Sequence, residues 1–228
     1  MKMRGSGGLR MRGSKARSQS RSSRRACGDR DSTSPFSDRY ELSFSVGGLL
    51  EREAAIIVAV YLEHGDWSVV RRIAIDKNLL QTRTRSSAVR MVRETIKRLS
   101  VLVGDQLRAL PELTAAERAH VMWAAACRRY ALIGEFAEEV LRERFLTLTP
   151  IVDREAYDTF IRNKAIWHEE LDALSPSTAE KLRQKLFKMM TDAALLSPEG
   201  VIEPVILSPT VSTLLTPDDF RFFPMRVI

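Results

Sequence analysis

From about residue 49 to residue 194, large apolar side chains recur at three- and four-residue spacing. Glycines, prolines and capping residues interrupt them at short intervals. Apolar residues at that period line one face of an α-helix. Strand-like patterning is confined to two pieces, "SFSV" at 43–46 and "GVIEPVIL" at 200–207. Such a chain folds as packed helices, with little sheet.

The punctuation places the helices. A first helix is predicted at about 49–64, ended by Gly65, and a second at 67–78, capped by Asp66. "LLQTRT" links the second to a third at 85–102, closing at Gly104. Pro111 breaks the chain, and Thr114 with Glu117 forms a T-x-x-E capping box that opens the next helix. Gly134 divides the long apolar run that follows. Thr149-Pro150 reads as a cap with proline at the first helical position. Ser177 with Glu180 reads as a second capping box, for a helix at 178–194. After it, Gly200 and Pro204 punctuate a β-like segment, and the aromatic tail "TPDDFRFFPMRVI" is predicted to pack back. The expected architecture is mainly α: a helical bundle with two helix-turn-helix-like units, the C-terminal one with a small β wing. The expected divisions are a disordered basic tail at 1–37, an N-terminal domain at 38–110 and a C-terminal domain at 111–228.

Charge is unevenly distributed. The net charge is +7 over 228 residues. Residues 1–37 hold ten Lys/Arg against two Asp, a net +8, so the other 191 residues hold 26 basic and 27 acidic groups, a net −1. The tail is poor in large apolar residues and reads as disordered. It either holds nucleic acid by charge or is an unpatterned extension ahead of the true start. Within the near-neutral body, residues 71–98 carry nine basic groups and two acids. A one-signed segment in an otherwise acidic body points to a phosphate backbone.

The candidate DNA-binding residues follow from that segment: Arg71, Arg72, Lys77, Arg83, Arg85, Ser86, Ser87, Arg90, Arg93 and Lys97. Arg83, Arg90, Arg93 and Lys97 are spaced by seven, three and four, which predicts one helix face, with Val89, Val92, Ile96 and Leu99 on another. Ser86 and Ser87 fall in the first turn, where amides and hydroxyls hold phosphate. A second, weaker set is Lys181, Arg183, Lys185 and Lys188 on the 178–194 helix. The bland alternative for both sets is a solvated charged face.

Catalytic and metal signatures are missing from the sequence. No glycine-rich phosphate loop, G-x-S-x-G or H-E-x-x-H occurs. His120 and Cys127, seven apart, read as a packed pair and not as a metal site. Trp167-His168-Glu169-Glu170 reads as a helix end whose Trp packs in the core and whose acids are solvated. No cofactor is expected. Two cysteines, Cys27 and Cys127, fit a reducing cytoplasm. The longest apolar run, "AAIIVAVYL", is too short to span a bilayer.

Several blocks are distinctive: "FSVGGLLEREAAIIVAVYLEHGDW", "CRRYALIGEFAEEVLRERF", "YDTFIRNKAIWHEELDALSPSTAEKLRQKLFKMMTDAALL" and "VILSPTVSTLL". In this order, from about residue 42 to 225, the chain resembles the BrxA family of BREX bacteriophage-defence systems. The resemblance implies a small, mostly helical, non-enzymatic protein. It would bind DNA, beside larger BREX components that include a DNA methyltransferase and ATPases. Together with the charge pattern, the expected activity is binding of double-stranded DNA through phosphate contacts with low sequence specificity. Two other functions fit the composition. One is RNA binding, as in helical antitermination proteins. The other is a module that holds defence proteins together through its acidic surface.

Overall fold

The computed structural model describes residues 39–226, and the basic tail expected at 1–37 lies outside them. The described chain is mainly helical. Helix α1 spans Glu51–His64, where Gly65 ends it at φ +67° and its amide donates to the Tyr61 carbonyl at 2.7 Å. That left-handed conformation costs glycine nothing, having no Cβ. Asp66 then accepts the Ser68 amide at 2.6 Å and starts α2, Trp67–Asp76. Thr84 accepts the Ser87 amide at 3.1 Å and starts α3, Arg85–Leu99. Helix α3 is shorter than its expected span to 102. Gly104 does not close it but opens α4, Gly104–Ala109, where the Gln106 carboxamide accepts the Val103 amide at 3.0 Å.

The Thr114–Glu117 box forms as expected at the head of α5, Ala115–Arg129. Every residue from Val121 to Cys127 is buried, so α5 is the central helix of the fold. The next break falls at Tyr130, which is extended, and not at Gly134. Gly134 sits inside α6, Ala131–Phe136, at a close approach. A Cβ there would lie 2.9 Å from the Cys127 carbonyl oxygen and 3.2 Å from the Phe222 ring. Helix α6 widens into a π-helical turn, Ala137–Arg142, and resumes as α7, Glu143–Leu146.

Two expected starts shift. Asp153, not Thr149, caps α8, Arg154–Ala165, accepting the Ala156 amide at 2.9 Å. After the short α9, Glu169–Asp172, Ser175 caps α10, Pro176–Asp192, with Pro176 at its first position. The Ser177–Glu180 box does not form. Proline at 176 already fixes the helical φ there, which hands the cap to Ser175. Glu180 instead accepts from Arg183 and Gln184.

The segment expected as a wing contributes two isolated antiparallel bridges, Ile151 with Val201 and Leu196 with Ile202, and no strand ladder forms among the described residues. Helix α11, Pro209–Leu214, and a 3-10 turn, Pro217–Phe222, complete the chain. The aromatic tail does pack back. Phe222 and Phe223 are buried, and the Trp123 indole donates to the Phe222 carbonyl at 2.8 Å.

One apolar core runs from Tyr40 to Phe223. Helices α1, α2 and α3 pack on one another, and α1 and α3 also pack on α5. The stretches expected as two domains, 38–110 and 111–228, therefore meet in this core.

Candidate nucleic-acid interface

Helices α2 and α3 turn their apolar sides inward. Val70 and Ala74 are buried on α2, and Ala88, Val92 and Leu99 on α3. Their outer sides, with the link between them, carry Arg71, Arg72, Lys77, Arg83, Arg85, Ser86, Arg90 and Arg93, all exposed. Few acids interrupt this face. Asp76 holds Arg85 at 3.1 Å, and both side chains are exposed. Asp66 lies near Arg72; its carboxyl is held low first by the Ser68 hydroxyl and amide, with a smaller part from Arg72.

The structure revises the expected face in three places. Arg83 precedes the cap Thr84, so it sits on the link and not on the helix. The stripe along α3 is instead Ser86, Arg90, Arg93 and Lys97, spaced by four, three and four. Ser87 is spent on the cap, with its amide and hydroxyl bound to Thr84. Lys97 is also spoken for. Its ammonium donates to the Glu41 carboxylate and, at 2.9 Å, to the Ser43 hydroxyl.

Arg98, the last basic residue of the segment, belongs to the interior. It is fully buried, donates to Glu94 at 2.9 Å, and reaches the Gly48 and Leu49 carbonyls at 2.8 and 3.1 Å. The Tyr130 hydroxyl donates to the same Glu94 carboxylate at 2.8 Å. Burial and the Glu94 charge push the Tyr130 hydroxyl well above its ordinary value, so it stays a donor. This network anchors the inner side of α3 to α5 and to the entry of α1.

The α10 set separates into two kinds. Lys181 is exposed and Lys185 half-buried. Arg183 is mostly buried between Glu180 and Asp158. Lys188 pairs with Asp192 at 2.9 Å, and Asp192 accepts the Leu49 amide at 3.0 Å. Arg183 and Lys188 thus serve the fold.

No group of three or more His, Cys, Asp or Glu suited to a metal occurs among the described residues. Cys127 is buried, and burial pushes its thiol up. His120 meets the Phe223 ring edge-on at 6.0 Å, and burial lowers its basicity. The Trp167 region departs from expectation. Trp167 is 83% exposed instead of packed in the core, while Glu170 is nearly buried and accepts the Tyr40 amide at 2.5 Å. A cavity of about 640 Å³ is lined by Arg128, Asp219, Glu135, Glu138 and Arg221 around the buried Cys127. It presents no exposed nucleophile with an adjacent base.

A basic α2–α3 face on a mainly helical body is the setting in which the comparisons with known proteins fall. The BrxA family model matches residues 38–219. The chain belongs to the BrxA family. A curated relative, the BREX protein BrxA of Paramagnetospirillum magneticum, is 22% identical over 159 residues, or 70% of this chain and 80% of the relative. A crystal structure of an uncharacterized protein from Magnetospirillum magneticum superposes with a TM-score of 0.67 at 23% identity, covering 81% of this chain and 95% of that one. That likeness gives this BrxA-family chain its fold. No described helix is long and apolar enough to cross a membrane.

Proposed function

We propose that this BrxA-family chain is a non-enzymatic, double-stranded-DNA-binding component of a bacterial BREX phage-defence system, working in the cytoplasm beside other BREX proteins. Helices α1 to α3 act as a helix-turn-helix-like unit, with α3 and the link before it against the duplex. Arg71, Arg72, Lys77, Arg83, Arg85, Arg90 and Arg93 neutralise backbone phosphates, and Ser86 adds a hydroxyl at the head of α3. Exposed Lys181 and half-buried Lys185 form a subsidiary contact in the C-terminal half, where residues 196–202 stand in for a wing. The observation that carries this reading is the α2–α3 face: seven exposed basic side chains with Asp76 as their one direct ion-pair partner among the described residues. Phosphate contacts position a protein without reading sequence, so specificity is low.

The test is fluorescence anisotropy of a short labelled duplex with a chain starting at residue 38, across a salt series. The Arg83→Ala/Arg90→Ala/Arg93→Ala variant is expected to bind more weakly. Its log–log salt slope should be shallower by about 2–3, at roughly 0.9 per lost phosphate contact. Equal slopes for variant and parent sink the α2–α3 assignment. Tighter binding to RNA of equal length would favour the RNA-binding alternative.

A further inference from the structure

The basic stripe of α3 does not stop at Arg93. It continues to Lys97 and, across the α3–α5 contact, to Arg129, where an extended segment of the chain covers it. That segment, residues 39–46, is pinned by Tyr40 and Phe44, which are buried, with Leu42 between them packed partly on the core, whereas Ser43 is exposed and Glu41 partly so. The Tyr40 amide and hydroxyl are held by Glu170 and Glu135 at 2.5 and 2.6 Å. Glu41 is thereby set over the end of the stripe. One carboxylate oxygen accepts from Lys97 and, at 2.7 Å, from Ser43; the other accepts from Arg129.

A lysine, an arginine and a hydroxyl converging on one anionic group is a phosphate-binding donor set. We infer that Glu41 holds the place of a DNA phosphate, and that Lys97, Arg129 and Ser43 form a further phosphate subsite that opens when Glu41 is displaced. This rests on the proposed DNA-binding function and extends its surface.

Three observations support it. A cleft of about 130 Å³ lies beside the site, lined by Ser43, Val46, Arg90, Arg93, Glu94 and Lys97, so the subsite is continuous with the exposed stripe. The Glu41 side chain is 38% exposed, within reach of an incoming anion. Burial works against its ionisation, but hydrogen bonds from Lys97 and Ser43 and the charge of Arg129 outweigh it and hold the carboxyl down to about 2, so Glu41 competes as an anion at neutral pH. Of the other charges nearby, Glu94 is buried on Arg98 and Tyr130, Arg90 and Arg93 stand exposed on the stripe, and Arg129 also lies over the Tyr130 ring at 5.4 Å.

The experiment uses the full chain and a labelled duplex across a salt series, with Glu41→Gln, the double variant Glu41→Gln/Lys97→Gln, and Glu112→Gln as a control. Glu112 is exposed and distant in sequence, so it reports the effect of losing one negative charge anywhere. Glu41→Gln is expected to bind several-fold tighter, with a salt slope steeper by about 1–2, as one or two freed cations each add roughly 0.9. Most of this gain should vanish in the double variant, and Glu112→Gln should leave the slope unchanged. Glu41→Ala serves if Glu41→Gln melts early, because Tyr40 and Phe44 still anchor the segment. Binding by the parent chain with no steeper slope in either Glu41 variant, or an equal change in Glu112→Gln, overturns this inference alone. No binding by parent or variants removes the DNA-binding reading and this inference with it.

Discussion

Arg98 shows how little a formal charge says about where it points. It sits in the same basic run as Arg90 and Arg93, yet it is fully buried and tied to Glu94 and the carbonyls before α1. Removing one partner of a buried pair leaves the other charged and unsolvated, at a cost of about 3–5 kcal/mol. Arg98→Met is therefore expected to lose stability on that scale in urea unfolding, whereas Arg93→Ala, at an exposed position, should change it by less than about 0.5 kcal/mol. Nothing in the spacing of the basic residues separates these two. Tyr130 and Gly48, which complete the Arg98 network, are far away in sequence, so only the folded chain brings them to it. Lys97, Arg183 and Lys188 enter the charge reading as phosphate-binding candidates, yet each holds a carboxylate. Lys97 reaches Glu41 in a distant segment, Arg183 holds Glu180 on its own helix and Asp158 on α8, and Lys188 holds Asp192, which also accepts the Leu49 amide.

Among the elements, what was legible was local. Gly65, Asp66 and the Thr114–Glu117 box work through residues a few positions away, and each forms as its sequence dictates. Starts went astray where two capping signals compete within a few residues, as at Ser175 and Ser177, or where proline lies in a loop, as at Pro150. The wing was illegible because "GVIEPVIL" finds its partners, Ile151 and Leu196, one residue at a time instead of folding on itself. Gly134, expected to divide two helices, is instead a spacer inside α6. Adding a methyl group there would press on the Cys127 carbonyl and the Phe222 ring. Gly134→Ala is thus expected to cost about 1–3 kcal/mol, as overpacking does, and a thermal melt would show it. An unchanged or raised melting temperature would mean that α6 and the C-terminal turn can part without loss.

For the described chain as a whole, both ends are tied to neighbouring positions on the central helix. Arg128 pairs with Asp219 of the C-terminal turn, and Arg129 pairs with Glu41 of the N-terminal segment. Burial opposes the ionisation of Asp219, but Arg128 and Thr216 outweigh it and hold the carboxyl below its ordinary value; Glu41 is held down to about 2. Folded values below the unfolded ones mean that the unfolded chain takes up protons first as pH falls. Stability from these ties is complete above about pH 5 and is lost progressively from about pH 4 toward 2. Urea midpoints measured across that range should fall, and the decline should be shallower in Asp219→Asn, which begins from a lower plateau. A decline as steep as the parent's would mean that Asp219 is not among the groups responsible. The bare indole of Trp167 has a different kind of consequence. Of the three tryptophans, Trp123 is sealed in the core and Trp67 is stacked on Tyr61 at 3.8 Å. Trp167 alone stands in water, so the protein carries its own optical reporter at the α8–α9 junction. A soluble quencher will dim that emission first, and any molecule that settles on this corner will shield it without a label being attached.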